Sequence, residues 1–244
     1  RLGGEVSPVG RTATLPDGAV ERFRIAAFSC SNYPAGFFNA YRDAAEQAAP
    51  DLVVHLGDYI YEYAREGYAS ADAERLAREV DPATELLSYE DYARRHAQYS
   101  ADPDLQALKA AAPWIMVWDD HETANNAWRG GAENHNEGEG DWRDRRDAAL
   151  AAWYAWTPSR EPDPSFARYA ALQVGDLATL ILLETRLTAR DEEIMLFDMP
   201  VDPDTTTRPI RPRARGLQTG LRRQRGRKAA IFWDRSSLRA SLTR

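Results

Sequence analysis

The stretch Asp51-Leu52-Val53-Val54-His55-Leu56-Gly57-Asp58-Tyr59-Ile60-Tyr61 constrains this chain more than any other. Leu52 to Leu56 is short, apolar and β-branched enough for a central parallel strand covered on both faces. It ends in a glycine followed at once by a carboxylate. In open α/β sheets ligands sit beyond the carboxyl ends of the strands, so Gly57 lets the backbone turn sharply there and Asp58 brings an acceptor to the site. Tyr61, three residues on, can point a second oxygen back at the same place.

Two further runs have this form. Phe23 to Cys30 reads as a first buried strand ending in a thiol, and Pro113 to Trp118 as a third, running straight into Asp119-Asp120-His121-Glu122. Between the first two, Phe37 to Ala49 has helical spacing with Phe38, Tyr41 and Ala45 along one face, which completes a βαβ unit. Glu62 to Thr84, charged and rich in Gly and Ala, reads as an excursion over the site with helical pieces. A helix opens after Ser88, a good N-cap, with Asp91 at its third position. Asp102-Pro103-Asp104 breaks it from a second helix, Leu105 to Ala111.

Ala124 to Gly140 is a loop by its Asn and Gly content. Asp141 to Trp156 is a helix with an apolar stripe of Ala149, Ala152, Trp153 and Trp156. Phe166–Val174 and Leu177–Thr185, joined by Gly175-Asp176, form a β-hairpin. The fold class is therefore α/β.

With 244 residues, 43% of them hydrophobic, the chain can build one large core or two small ones. No apolar run approaches a membrane span, and the first residues neither resemble a signal peptide nor begin with Met, so a processed or excised piece is expected. A single cysteine, Cys30, excludes an internal disulfide framework and leaves the thiol as core filler or as chemistry. Net charge is −7, but Arg208–Arg244 alone carries +11, leaving −18 on the rest. The division expected is a polar linker over residues 1–22, a folded acidic domain over 23–200 and a basic, aperiodic tail over 201–244.

Tips of neighbouring parallel strands converge, so Cys30, Asp58, Tyr61 and the Asp119–Glu122 run are expected to meet. A thiolate, a phenolate and several carboxylates make an anionic pocket that needs cations. Sulfur and phenol favour a transition metal such as ferric iron, whereas clustered carboxylates favour calcium, magnesium or manganese, and a mixed-metal site uses all of them. Such a centre suits in-line displacement at phosphorus, with His121 holding a substrate oxygen or protonating the leaving group. Asp119 and Glu122 are ligands or orienters of ligands. Asp91 is a site carboxylate or a helix-start one, and Asn125 and Asn126 offer amide oxygens to a phosphate or metal unless they only make a turn. His55, within an apolar strand, reads as a satisfied core histidine; His96 and His135 stay open.

The ordered set Phe28-Ser29-Cys30, His55-Leu56-Gly57-Asp58-Tyr59-Ile60-Tyr61, Leu87-Ser88-Tyr89-Glu90-Asp91-Tyr92, Arg95-His96-Ala97-Gln98-Tyr99, Val117-Trp118-Asp119-Asp120-His121-Glu122 and Asn134-His135 resembles the PhoD family of alkaline phosphatases and phosphodiesterases over roughly residues 23 to 190. In the broad metallophosphatase pattern Cys30 stands at the first motif, Asp58 and Tyr61 match Gly-Asp-x-x-Asp with Tyr for the last Asp, and Asp120-His121-Glu122 matches Asn-His-Asp/Glu with Asp for Asn.

The resemblance implies a metallophosphatase-type β-sandwich flanked by helices, which hydrolyses small-molecule phosphate esters. It implies Fe3+ held partly by Cys30, Asp58 and Tyr61, and Ca2+ bridged by Asp58 and bound near Asp120, with other divalent ions as substitutes. Asp58 and His121 would then be catalytic, and Asp91, Asp119, Glu122 and Asn125 would bind substrate or orient ligands. Twin-arginine export to the periplasm or exterior, a small β-domain upstream and a monomeric state complete the expectation. The family finishes its site with downstream Gly-Asp-x-His-type ligands, but no histidine follows His135. A fold incomplete at the C-terminus, by truncation or a shifted frame near residues 195–208, is expected. Two other readings stay open: an inactive remnant, or a tail that binds anions or nucleic-acid phosphates in a salt-dependent way.

Overall fold

The computed structural model describes residues 9–160 and 169–192, all of which fall in the first of the chain's two units, Arg1–Glu192. Three parallel strands, β1 (Ile25–Phe28), β2 (Leu52–His55) and β3 (Trp114–Met116), lie side by side in that order, with Ile25 opposite Leu52 and Val53 opposite Trp114. As its composition requires, β2 takes the middle, and Leu52 and Val53 are fully covered. β1 departs from the buried strand expected. Alternate residues along it are exposed, and among the described residues it pairs only with β2.

The connections are helical, as the spacing predicts. α1 (Asn39–Asp43) widens into a π-helical turn, Ala44–Ala48, and ends at Ala49 in the left-handed region, one residue before Pro50. α2 (Tyr89–Ser100) opens with a capping box in which the Ser88 hydroxyl accepts from Asp91 N and the Asp91 carboxylate accepts from Ser88 N. α3 (Pro103–Ala111) starts two residues earlier than expected. Asp102 caps it by accepting from Asp104 N and Leu105 N, and Pro103 takes the first helical position. α4 (Trp142–Trp156) packs against α2. Three residues of its expected stripe, Ala149, Ala152 and Trp153, are buried, whereas Trp156 at the last position is 38% exposed.

Between β2 and α2 the excursion at 62–84 contains turns and no helix. Its irregular carbonyls are gathered by one buried side chain of α2: Arg95 donates to the carbonyls of Tyr61, Tyr63, Asp81 and Pro82. A guanidinium with several donors in a rigid fork is the group that can do this.

The hairpin is β4 (Ala170–Val174) and β5 (Ala178–Leu182), antiparallel, with Val174 opposite Ala178; residues 161–168 lie outside the described ones. Gly175, at φ 48°, donates its N–H to Pro16 O, and a Cβ there would come within 2.4 Å of Gly18 O. The stretch expected as linker thus runs along this unit: Asp176 N donates to Gly18 O, Val20 N to Asp176 Oδ1, and Arg11 N to Ala110 O. The largest fully buried side chains include Trp118, Trp153, Tyr59, Tyr92, Tyr99 and Leu105. They belong to one core cluster with Val53 of β2 and with Trp114 and Met116 of β3.

Candidate metal centre

The tips of β1 and β2 turn together. Cys30 N donates to Gly57 O, Ser31 N to Asp58 O and Leu56 N to Phe28 O, so the ladder continues past the strands themselves. Cys30 (φ 60°) and Asp58 (φ 54°) both adopt the left-handed region, uncommon for residues with a Cβ and a mark of functional sites. Gly57 has φ 105°, and a Cβ there would lie 2.3 Å from Asp119 N and 2.6 Å from Asp119 Cβ. Only glycine lets the extension of β3 come this near β2. One buried carboxylate then ties the tips: Glu122 accepts from Asp58 N (3.1 Å), Tyr59 N (2.5 Å) and Asp119 N (2.8 Å). Burial, followed by the charge of Asp58, pushes Glu122 up to about 8 despite these three donors.

Five expected site residues meet above this staple. Cys30 Sγ lies 3.2 Å and Tyr61 Oη 3.5 Å from Asp58 Oδ2. Asp58, Asp120 and His121 offer ligand atoms all within 4.8 Å of one another. Burial pushes the Asp58 carboxyl up to about 6, with Asp120 and Asp119 adding to the effect and His121 opposing it. Desolvation and then Asp58 raise the Cys30 thiol; the same two causes, in the same order, raise the Tyr61 phenol. Negative groups this crowded suppress one another's ionisation until a cation joins them.

Asp58 Oδ1 is buried without a hydrogen-bond partner among the described residues. Asp120 Oδ1 likewise makes no aligned hydrogen bond, although Arg186 Nη2 is 3.1 Å away. Buried carboxylate oxygens left bare are costly unless something charged takes them. Sulfur, phenol, two carboxylates and an imidazole make a donor set that fits cations.

Reasoning from the sequence missed two residues here. Glu62, fully buried, accepts from His121 Nδ1 (2.8 Å), Asn125 N (2.6 Å) and Asn134 Nδ2 (2.9 Å). This leaves Nε2 as the nitrogen of His121 without a partner among the described residues, and the ring stacks on Tyr61 at 4.3 Å. Burial pulls His121 down, but Glu62, Asp58 and Asp120 outweigh it and hold the imidazole at about 9. Arg186 clasps Asp119 with Nε at 2.6 Å and Nη2 at 3.0 Å. It stands there because Glu184 accepts from Arg186 N, Leu187 N, Thr188 N and Ala189 N, folding the chain after β5 into a turn. Burial raises the Asp120 carboxyl, yet Arg186 and His121 prevail and lower it overall. The signal for Glu62 was its place one residue after Tyr61; Arg186 lies 66 residues beyond Asp120, and no spacing pointed to it.

The other candidates do different work. Asp119 is taken by Arg186 and Glu122 by the backbone. Asn125 is one step removed, giving its N–H to Glu62 and its amide to Glu133, while Asn126 N donates to Asp120 Oδ2. Asp91 belongs to the cap of α2. His55 is the core histidine expected, its Nε2 3.0 Å from both Ser31 Oγ and Tyr41 Oη. His96 is buried with neither nitrogen partnered among the described residues, and His135 Nε2 meets Gly140 O.

Parallel strands with carboxylates, a thiol and a histidine beyond their tips make a candidate cation centre on an α/β frame. Known proteins resemble this chain in sequence and fold. A family profile described as PhoD-like phosphatase matches residues 25–228. Alkaline phosphatase D of Bacillus subtilis (strain 168) is 38% identical over 198 residues, which is 79% of this chain and 33% of that protein. A solved structure titled "Structure of PhoD" superposes with a TM-score of 0.69 at 37% identity, covering 78% of this chain and 36% of that one. The chain belongs to the PhoD-like phosphatase family and spans about a third of the length of these relatives.

Proposed function

We propose that this chain carries a metal-dependent centre for hydrolysing phosphate esters, monoesters or diesters. The observation that carries this is the convergence of Asp58, Asp120 and His121, whose ligand atoms lie within 4.8 Å of one another beyond parallel strands, with the buried Asp58 Oδ1 unpartnered among the described residues. Its support from outside the chain is the relationship to alkaline phosphatase D.

Asp58, Asp120 and His121 would hold one cation, and Cys30 and Tyr61 would offer a second the softer side of Asp58. Ferric iron suits the sulfur and phenol, calcium the carboxylates. Bound cations there neutralise phosphoryl oxygens and lower the pKa of a nearby water. The chain's own residues do the positioning. Asp58 spans both halves of the centre. His121, held through Nδ1 by Glu62, has Nε2 alone to give, which serves the cation or, where Asp58 and Asp120 hold the cation without it, a substrate oxygen or the leaving group. Arg186 offsets Asp119, so less negative charge faces an incoming phosphate.

The same reading extends to the frame: a sandwich-type metallophosphatase domain over residues 23–200, a basic tail over 201–244, a monomer, and export by the twin-arginine route. Among the described residues no helix is long and apolar enough to cross a membrane. The test is to load the chain with iron and calcium and assay an aryl phosphate monoester and diester. Turnover that Asp58→Asn abolishes together with bound metal supports the proposal; full metal content in Asp58→Asn counts against it.

A further inference from the structure

The excursion after Asp58 lays tyrosines along one flank of the centre. Tyr61 stacks on His121 (4.3 Å between ring centroids, 27° between planes), and Tyr63 lies 5.5 Å from the same imidazole. Tyr68 lies in turn 6.3 Å from Tyr61, nearly parallel at 19°, and 6.0 Å from Tyr63. The rings therefore run from the buried centre to solvent, and the last of them, Tyr68, is 62% exposed.

This outer ring is held in place. Gly67 N donates to Ala64 O, Ser70 Oγ donates to Gly67 O, and a Cβ on Gly67 would stand 2.5 Å from Tyr63 Cβ, so only glycine lets the chain fold back far enough for Tyr68 to meet Tyr63. From the other side Asn32, two residues after Cys30, donates to Tyr68 O, and its own Oδ1 is buried without a hydrogen bond among the described residues. An exposed ring fixed by its backbone on both sides loses little freedom when something stacks on it.

We propose that Tyr68, backed by Tyr61 and Tyr63, is a specificity-determining platform that takes the planar aromatic substituent of the phosphate ester, either an aryl group or a nucleobase. The inference rests on the phosphate-ester reading above and adds the class of substituent to it. Offset stacking on a fixed ring favours a planar π-system over an alkyl group of similar size, and single stacking contacts of this type are worth on the order of 10-fold in affinity.

The test uses non-hydrolysable probes, phenylphosphonate and methylphosphonate, titrated calorimetrically into the manganese-loaded chain and into its Tyr68→Ala and Tyr68→Phe variants. Expected are about 10-fold tighter binding of phenylphosphonate by the unaltered chain, loss of that advantage in Tyr68→Ala with methylphosphonate unchanged, and its retention in Tyr68→Phe. A phenyl-to-methyl ratio that Tyr68→Ala leaves alone, or an equal weakening of both probes, overturns the platform while the phosphate-ester reading stands. Failure of both phosphonates to bind the unaltered chain overturns that reading and the platform with it.

Discussion

At the scale of single residues the centre depends on groups that touch no substrate. Glu62 supports His121 by one hydrogen bond and anchors Asn125 and Asn134 with its other oxygen. Supporting partners of metal ligands typically contribute 10- to 100-fold in affinity, so Glu62→Ala is expected to weaken manganese binding by about that factor. Glu62→Gln, which keeps an acceptor, is expected to recover most of it. In a His121→Ala background Glu62→Ala should cost little more, a non-additivity readable by equilibrium dialysis. Equal costs in both backgrounds would show that Glu62 acts on the fold and not through His121.

His96 poses the opposite case, a titratable group with nothing to titrate against. Burial, then Lys109 and Arg95, lower it to about 3 from an unfolded value of 6.5. Below pH 6.5 the unfolded chain takes a proton that the folded one refuses, so stability present above 6.5 is lost as pH falls toward 3. His55, lowered to about 3 mainly by burial, adds a loss of the same sign. In the metal-free chain Asp58 and Glu122, both raised, work against them by gaining protons when folded. Comparing variants separates these contributions. His96→Phe is expected to match the parent at pH 7 and to lose about 2–3 kcal/mol less by pH 4.5, measured by urea unfolding. Parallel pH curves for the two proteins would contradict the account.

At the scale of elements, what makes the centre is how closely three strand tips approach. Gly57→Ala is expected to cost about 2–4 kcal/mol, combining a left-handed backbone with overlap on Asp119, and to lower the urea midpoint accordingly. An unchanged midpoint would mean that β2 and β3 do not meet as described.

Much of this level was legible beforehand. The apolar runs ending in Cys30, Asp58 and Asp119 announced parallel strands, Ser88 and Asp91 announced a helix start, and Gly175-Asp176 announced the hairpin turn. What escaped was non-local. The exposure of alternate residues in β1 depends on what packs over that strand, which its own residues do not state. The irregular path over 62–84 is met by Arg95 from α2, and the placing of Arg186 depends on a turn built around Glu184. Local sequence carries periodicity and capping, whereas a guanidinium that collects four distant carbonyls leaves no periodic trace.

At the scale of the whole molecule the described unit gathers the groups that the proposal assigns to cations. A buried acid joins the strand tips, an arginine pairs with Asp119 and Asp120, and the ligand atoms of Asp58, Asp120 and His121 lie within 4.8 Å of one another. Its charges are balanced for occupancy, since Asp58, Cys30 and Tyr61 are all pushed toward their neutral forms in the metal-free chain. The most direct measurement is equilibrium cation content, by elemental analysis after dialysis, of the unaltered chain beside Asp58→Asn. The account predicts at least one retained cation per chain and a loss in the variant exceeding the roughly 10- to 100-fold cost of removing a supporting partner. Equal retention by both proteins, or none by either, would contradict it.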